Sequence, residues 1–405
     1  MSAVAADGRE ASAPAWLTAA RVGWAGIALG FLAFFIAVPP ATVRSSAPTI
    51  VLGVAGILCG AVALRGRERR LGWGAVAASA VGIAGGIAAT RSGVGNLDRV
   101  VVWSALFAAM LRYATPLVFA ALGGLFSERS GVVNIALEGM LLMGAFFGVL
   151  GADVTGSWVG GLVVAMAAGG ALALIHAVFA VSLRADQIVS GTALNFLALG
   201  ITSFVFVNRY GTNGTPENLP EVPDVKLPLV DKIPFFGDVF GQVNLLVWLG
   251  LILVVVVWVV VFRTPAGLRL RSVGENPLAA ETAGLSVVRT RYAAVVTSGV
   301  LAAAGGAYLS IGFVHSFSQN MTVGKGFIAL AALIFGRWRP GGALAAALLF
   351  GFSSALAQRL PTFSPSAATL FQALPYVLTL IAVAGVVGRS TPPAADGVPY
   401  TREGT

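Results

Sequence analysis

Long apolar runs separated by short polar turns dominate this chain from end to end. Measured against the roughly 20 apolar residues that carry a helix across a bilayer, about twelve runs are candidates. They cover residues 22–38, 49–64, 71–90, 101–125, 132–150, 157–183, 188–207, 243–262, 292–313, 323–336, 341–357 and 368–387. Two are irregular. Run 101–125 contains Arg112 and Pro116, which predicts an interfacial helix followed by a short span. Run 323–336 is too short to cross upright and predicts a broken or re-entrant helix. The expected fold is therefore all-α: a polytopic transmembrane helical bundle of about twelve spans, or about eleven if one irregular run does not cross.

The polar turns give the orientation. With the N-terminus in the cytoplasm, the inside turns carry Arg65, Arg67, Arg69, Arg70, Arg129, Arg184, Arg263, Arg269, Arg271, Arg289, Arg291, Arg337 and Arg339. The outside turns carry only Arg44, Arg91, Arg99, Arg209, Lys226, Lys232 and Arg359. An excess of Arg and Lys marks the cytoplasmic side, so both termini belong there, in a plasma (inner) membrane. The first run is followed by Pro39-Pro40 and lacks a small-x-small cleavage site, so it reads as a retained span rather than a signal peptide. The expected organisation is a cytoplasmic tail (1–21), an accessory transmembrane region (22–99), a core (100–388) and a disordered cytoplasmic tail (389–405).

Composition supports the membrane reading. The chain is 57% hydrophobic and only 11% charged, with mean hydropathy +0.87, too little charge to clothe a soluble domain of this length. The net charge of +9 sits in short turns without interleaved aromatics, which argues against nucleic acid. Cys59 is alone inside an apolar run, so neither a disulfide framework nor a thiolate metal site is expected. Fifty-one glycines in so apolar a chain predict closely packed helices, and Gly26/Gly30, Gly56/Gly60 and Gly82/Gly86 are GxxxG pairs of the helix-packing kind.

Segment 263–291 departs from the pattern of plain turns. Five arginines frame a stretch of helix formers in which Asn276 is a good N-cap, Pro277 suits the first turn and Gly284 is a natural C-cap. A short capped helix in a basic loop suits a surface gripped by a cytoplasmic partner. On the other side, connection 208–242 holds Pro216, Pro220, Pro223, Pro228 and Pro234. It reads either as a stiffened spacer or as a docking platform for an external protein.

No catalytic constellation stands out. The chain has no HExxH, no metal-ligand spacing, no aspartate-rich pair and no GxxxxGK[ST] phosphate loop, since Gly324-Lys325-Gly326 lacks its flanking residues. His176 lies within a run and reads first as an interhelical hydrogen-bond partner. Glu138 and Lys325 are charges near the ends of runs, either functional or snorkelling to the interface. Asn134, Gln187, Ser190, Thr192 and Asn195 add polar groups that could bind a polar substrate or bond across helices. Residues 134–141 and 323–330 each set a charge before a glycine at the start of an apolar helix, in opposite orientation. That likeness suggests an inverted repeat of two four-span halves, 101–207 and 292–387.

Four stretches carry a family resemblance: GLFSERSGVVNIALEGM (124–140), LRADQIVSGT (183–192), GENPLAAETAG (274–284) and FGRWRP (335–340). They resemble the signature of permeases in ATP-binding-cassette importers for simple sugars and nucleosides, closest to the nucleoside type, over roughly 104–388. The resemblance implies a heteromeric importer: a second related permease, an external substrate-binding lipoprotein, and a cytoplasmic ATPase that binds the ATP and magnesium. This chain itself would then need no cofactor and would not be an enzyme. The 276–285 helix corresponds to the family's coupling helix, with Glu275, Asn276, Pro277, Ala280, Glu281 and Gly284 at the ATPase. The substrate path would draw on Asn134, Glu138, Gln187, Ser190, Thr192, Asn195 and Lys325. Spans 22–90 fall outside the match.

The competing class is an ion-coupled secondary transporter with Glu138 as its ion site. It accounts for an inverted repeat and an intramembrane carboxylate, but not for the capped basic loop. An intramembrane enzyme has only His176 and Glu138 in its favour.

Overall fold

The computed structural model of the chain describes residues 18–36, 45–66, 68–91, 102–211, 214–233, 235–359, 373 and 391–401. It divides into two compact units, Met1–Trp103 and Ser104–Thr405. Among the described residues nine helices are long and apolar enough to cross a membrane, and two shorter apolar helices, Ala19–Phe35 and Lys325–Phe335, accompany them. The expected run 368–387 lies outside the described residues, apart from residue 373.

The first unit is a three-helix bundle of α1 (Ala19–Phe35), α2 (Ala47–Arg65) and α3 (Arg69–Arg91). Lipid tails are as apolar as leucine, so such helices associate by close packing rather than by hiding apolar surface. The paired glycines permit that approach: a Cβ on Gly82 would lie 2.2 Å from the Gly30 carbonyl oxygen.

In the second unit, α4 (Trp103–Arg129) leads into a non-helical break, followed by α5 (Leu137–Thr155) and α6 (Trp158–Ala177), which ends in a π-turn, Val178–Ser182. Then come α7 (Gln187–Tyr210), strand β1 (Asp224–Lys226), the short α8 (Phe236–Phe240) and strand β2 (Gln242–Asn244). Next follow α9 (Leu245–Arg263), α10 (Pro265–Glu275), α11 (Pro277–Thr282) and α12 (Val287–Ala307), the last extended by a π-segment, Tyr308–Val314. The described core closes with α13 (Lys325–Phe335) and α14 (Pro340–Arg359).

Helices α5 and α12 form the centre, and their backbones nearly touch. A Cβ on Gly144 would lie 2.1 Å from the Ala303 carbonyl oxygen, and one on Gly306 would lie 2.0 Å from that of Leu141. Around them Leu, Ala and Val from α4, α6, α7, α9, α13 and α14 fill one apolar core. Helix α9, the most apolar span, lies largely unburied, as suits a lipid-facing helix.

Three expectations change. Helix α4 is one continuous helix of 27 residues through Arg112 and Pro116, not an interfacial helix plus a short span. Packing carries it through the proline: a Cβ on Gly305 of α12 would meet the Pro116 carbonyl oxygen at 3.0 Å. The 208–242 connection, read as a stiffened spacer or a docking platform, is braced by more than its prolines. Strands β1 and β2 pair antiparallel, Asp224 opposite Asn244, and the Val222 N–H donates to the Ile311 carbonyl (3.2 Å). Asn244 joins both ends, donating to the carbonyls of Val222 (3.0 Å) and Gly312 (3.1 Å) while its oxygen caps α9. Finally, residues 391–401 of the tail expected to be disordered lie against α10, α11 and α12, held by the Gly274 carbonyl at the end of α10 and by the side chains of Glu275, Glu281 and Arg291.

Gly306→Val should lower the melting temperature of the protein in detergent by several degrees, since overpacking at a backbone contact costs about 1–3 kcal/mol or more. Gly200→Ala, in α7 with nothing within 4 Å of its Cβ position, should leave it unchanged or raise it.

Candidate functional site

Residues 130–136, between α4 and α5, are non-helical, and backbone that leaves the helix inside a membrane protein must find partners within the protein. Here side chains supply them. The Val133 N–H donates to Gln187 Oε1 (2.8 Å), and the Val133 carbonyl accepts from His176 Nε2 (3.1 Å). A carbonyl only accepts, so Nε2 carries the proton and Nδ1 is free to accept from the Ser190 hydroxyl at 3.4 Å. Asn195 donates to the Ile135 carbonyl (3.0 Å) and accepts the Gly139 N–H in the first turn of α5 (2.7 Å). Asn134 reaches the other way and donates to Ser298 Oγ on α12 (2.9 Å). Before the break, Ser127 Oγ donates to the Val132 carbonyl (2.7 Å).

Glu138, second residue of α5, does not snorkel. It is buried, and its carboxylate caps a different helix: Oε1 accepts from Thr322 Oγ1 (2.5 Å) and the Gly324 N–H (2.8 Å), and Oε2 from the Gly326 N–H (2.6 Å). The first amides of a helix lack intrahelical partners and carry positive partial charge, so a carboxylate is their natural acceptor. The approach is very close, because a Cβ on Gly326 would lie 2.4 Å from the Glu138 backbone nitrogen. The loop before α13 is strained to make this fit: Asn320 and Val323 both adopt positive φ (56° and 43°), and for β-branched Val323 that is unusual.

Of the residues singled out from the sequence, Asn134, Glu138, Gln187, Ser190 and Asn195 converge on this break. Thr192 does not; it is exposed and donates to the Ile188 carbonyl of its own helix (2.8 Å). Lys325 opens α13 beside Glu138 but turns back on the preceding loop, donating to the carbonyls of Met321 (3.5 Å) and Thr322 (3.3 Å). Two buried valences in the cluster have no protein partner, Asn134 Oδ1 and Gln187 Nε2. Sequence reading missed Thr322, Ser298 and the Gly324 and Gly326 amides. Thr322 and Ser298 carry no local signal in the sequence.

The arginine-rich side holds the second element. Helix α11 starts at Asn276, whose side chain accepts the Ala279 N–H (3.0 Å), with Pro277 as first residue. It ends in a Schellman motif: Gly284 has φ +83°, its N–H donates to the Glu281 carbonyl (2.8 Å), and that of Leu285 to the Ala280 carbonyl (3.0 Å). Nothing lies within 4 Å of a Gly284 Cβ position, so backbone conformation alone favours glycine there. Ala280 is buried against Val273 and Val287, while Leu278, Ala279 and Thr282 are exposed on the opposite face, which the sequence reading did not single out.

Motifs far apart in sequence meet beneath this helix. Arg129 donates through Nε and Nη2 to the Trp338 carbonyl (3.2 and 2.9 Å), lies 3.9 Å from the Glu275 carboxylate and sits over the Phe262 ring. The Trp338 indole donates to Glu128 (2.5 Å). Arg291, read from the sequence as one of the loop's framing arginines, is instead fully buried on α12, where Nε donates to the Ser130 carbonyl (3.1 Å) and Nη1 to the Val398 carbonyl (3.1 Å). In the tail beside it, burial pushes the Asp396 carboxyl up to about 7 against the pull of the Arg291 guanidinium. No group of His, Cys, Asp and Glu among the described residues could hold a metal ion.

The second unit is a multi-pass apolar helical bundle with a side-chain-braced connection between α4 and α5 and a short capped helix, α11. Residues 106–383 match the family described as "Branched-chain amino acid transport system / permease component", and the chain belongs to it. It is 44% identical over 317 residues to the guanosine ABC transporter permease protein NupQ of Bacillus subtilis, spanning 76% of this chain and 99% of that protein. The nucleoside ABC transporter permease protein NupC of Lactococcus lactis is 41% identical over 307 residues, 73% of this chain and 96% of NupC. The guanosine ABC transporter permease protein NupP of B. subtilis is more distant, at 26% over 272 residues, 62% of this chain and 75% of NupP. No solved structure matches the chain. It is thus a permease subunit of an ABC importer, not itself an enzyme.

Glu138→Ala strands three donors, two of them backbone amides, and each buried unsatisfied donor costs ~1–3 kcal/mol. It should cut both thermal stability and transport. Glu138→Gln keeps one acceptor oxygen and should fall between Ala and wild type in both measurements. Wild-type melting of Glu138→Ala would remove the capping role.

Proposed function

We propose that this chain is one of two related permeases of a nucleoside importer, with purine nucleosides as first cargo class and simple sugars second. What carries the cargo assignment is similarity to two nucleoside permeases along nearly their whole length. The similarity to both NupQ and NupP supports a paired, homologous partner subunit. A separate cytoplasmic ATPase binds ATP and magnesium, and an external binding lipoprotein delivers cargo above the braced 208–242 connection. Both termini and α11 face the cytoplasm, as the arginine distribution argues.

In this reading α11 is the coupling helix, and Glu275, Asn276, Pro277, Ala280, Glu281 and Gly284 shape it. Its exposed face of Leu278, Ala279 and Thr282 enters the ATPase cleft. The substrate path runs beside the α4–α5 break. Asn134 and Gln187, with an unspent valence each, and Thr192 and Lys325, nearest to open surface, have hydrogen-bonding capacity left for a polar cargo. Glu138, Ser190 and Asn195 serve the path by fixing its wall. The ion-coupled alternative would require Glu138 to exchange protons or sodium, yet its oxygens are already occupied by α13.

In proteoliposomes, the importer purified with its partners should take up guanosine when ATP is present on the ATPase side, without an ion gradient and with little effect of a protonophore. Leu278→Asp should leave the permease folded and lower ATPase co-purification and uptake together. Uptake by this chain alone under an imposed pH gradient would overturn the proposal.

A further inference from the structure

The stretch 391–401 is short, follows Arg389-Ser390 and carries the sequence PPAADGVPY, yet four hydrogen bonds and one ring contact bind it. The Ala395 N–H donates to the Gly274 carbonyl at the end of α10 (2.9 Å), and the Ala394 N–H to the Glu275 carboxylate (3.3 Å). The Val398 carbonyl accepts from buried Arg291 (3.1 Å). The Tyr400 hydroxyl donates to the Glu281 carboxylate on α11, and its ring packs on the small apolar cluster of Val273, Ala280 and Val287. Ala395 is buried, and the turn is closed by Asp396 N–H to the Pro393 carbonyl (3.0 Å) with Gly397 at φ +76°. Fit is tight on the core side as well: a Cβ on Gly131 would lie 2.9 Å from the Ala395 carbonyl oxygen.

Helix α11 has only six residues, too few to hold a fixed orientation through its own backbone. Ala280 is its one fully buried residue, packed on Val273 and Val287. The tail supplies the missing constraints, and it does so on both sides of Asn276, the residue where α10 and α11 join. Through Arg291 it also reaches Ser130, the first residue of the α4–α5 break.

We infer that residues 391–401 are a coupling strap, which locks α10, α11 and the Arg291 end of α12 into one body so that displacement of α11 reaches the break at 130–136. Glu275 and Glu281 are strap anchors in addition to any role at the ATPase, and Tyr400 is a positioning residue that acts through Glu281. What the transmitted motion accomplishes rests on the importer reading; where the strap sits does not.

The test compares hydrogen exchange in the purified full chain with that in a chain ended after residue 390 and in Tyr400→Ala and Tyr400→Phe. None of these measurements needs cargo or ATPase, so they stand or fall separately from the importer assignment. Amides of 274–285 should exchange at least ~10-fold faster in the shortened chain and in Tyr400→Ala, with less change in Tyr400→Phe, while those of α5 stay protected. In the assembled importer, Tyr400→Ala should then retain ATP hydrolysis but move less guanosine per ATP. Unchanged exchange across 274–285 in both the shortened chain and Tyr400→Ala would overturn the strap. If the shortened chain fails to fold, the Tyr400→Ala result alone decides.

Discussion

A backbone group buried away from water must find its partner within the protein, and the architecture around residues 130–136 follows from that constraint. Between α4 and α5 the chain leaves the helix while still buried, and four helices send polar side chains to meet it: His176 from α6, Gln187 and Asn195 from α7, Ser298 from α12 through Asn134, and Ser127 from α4. Polar residues that look like a binding site in the sequence are in large part the brace of a buried connection between two helices. A break held by side chains is also discrete: it has one satisfied arrangement, and alternatives require a concerted exchange of partners.

Glu138 links this break to a second one. Its carboxylate sits on the N-terminus of α13, so the start of α5 and the start of α13 are held as a unit. On the arginine-rich side, Arg291 ties the first residue of the break to the tail, and the tail to α11. Charged and backbone hydrogen bonds thus run from the displayed helix through the tail and Arg291 to the α4–α5 connection. Arg129 runs parallel to them, joining Trp338 after α13 to Glu275 at the end of α10.

Legibility from sequence tracked locality. The spans are visible because apolar runs of membrane length have few other uses, and α11 is visible because caps act within three or four residues of themselves: Asn276 on Ala279, Gly284 on Glu281. The cluster of Asn134, Glu138, Gln187, Ser190 and Asn195 could be picked out as polar groups in apolar surroundings, but not their partners. Thr322 bonds Glu138 from 184 residues away, and Ser298 meets Asn134 from 164. Pro116 misled because tertiary packing outweighs a local breaker. Arg291 looked like loop charge, yet it is buried because two backbone carbonyls need its donors. The tail looked disordered by composition; its order comes from partners more than 100 residues away, Gly274, Glu275, Glu281 and Arg291, which composition does not report.

The most direct test is a high-resolution structure of the assembled importer with a nucleoside bound. The account predicts the Glu138 carboxylate on Thr322 and on the Gly324 and Gly326 amides, with the nucleoside held by other groups. A Glu138 carboxylate withdrawn from α13 and bonded to the nucleoside, or facing an open aqueous path, would contradict it.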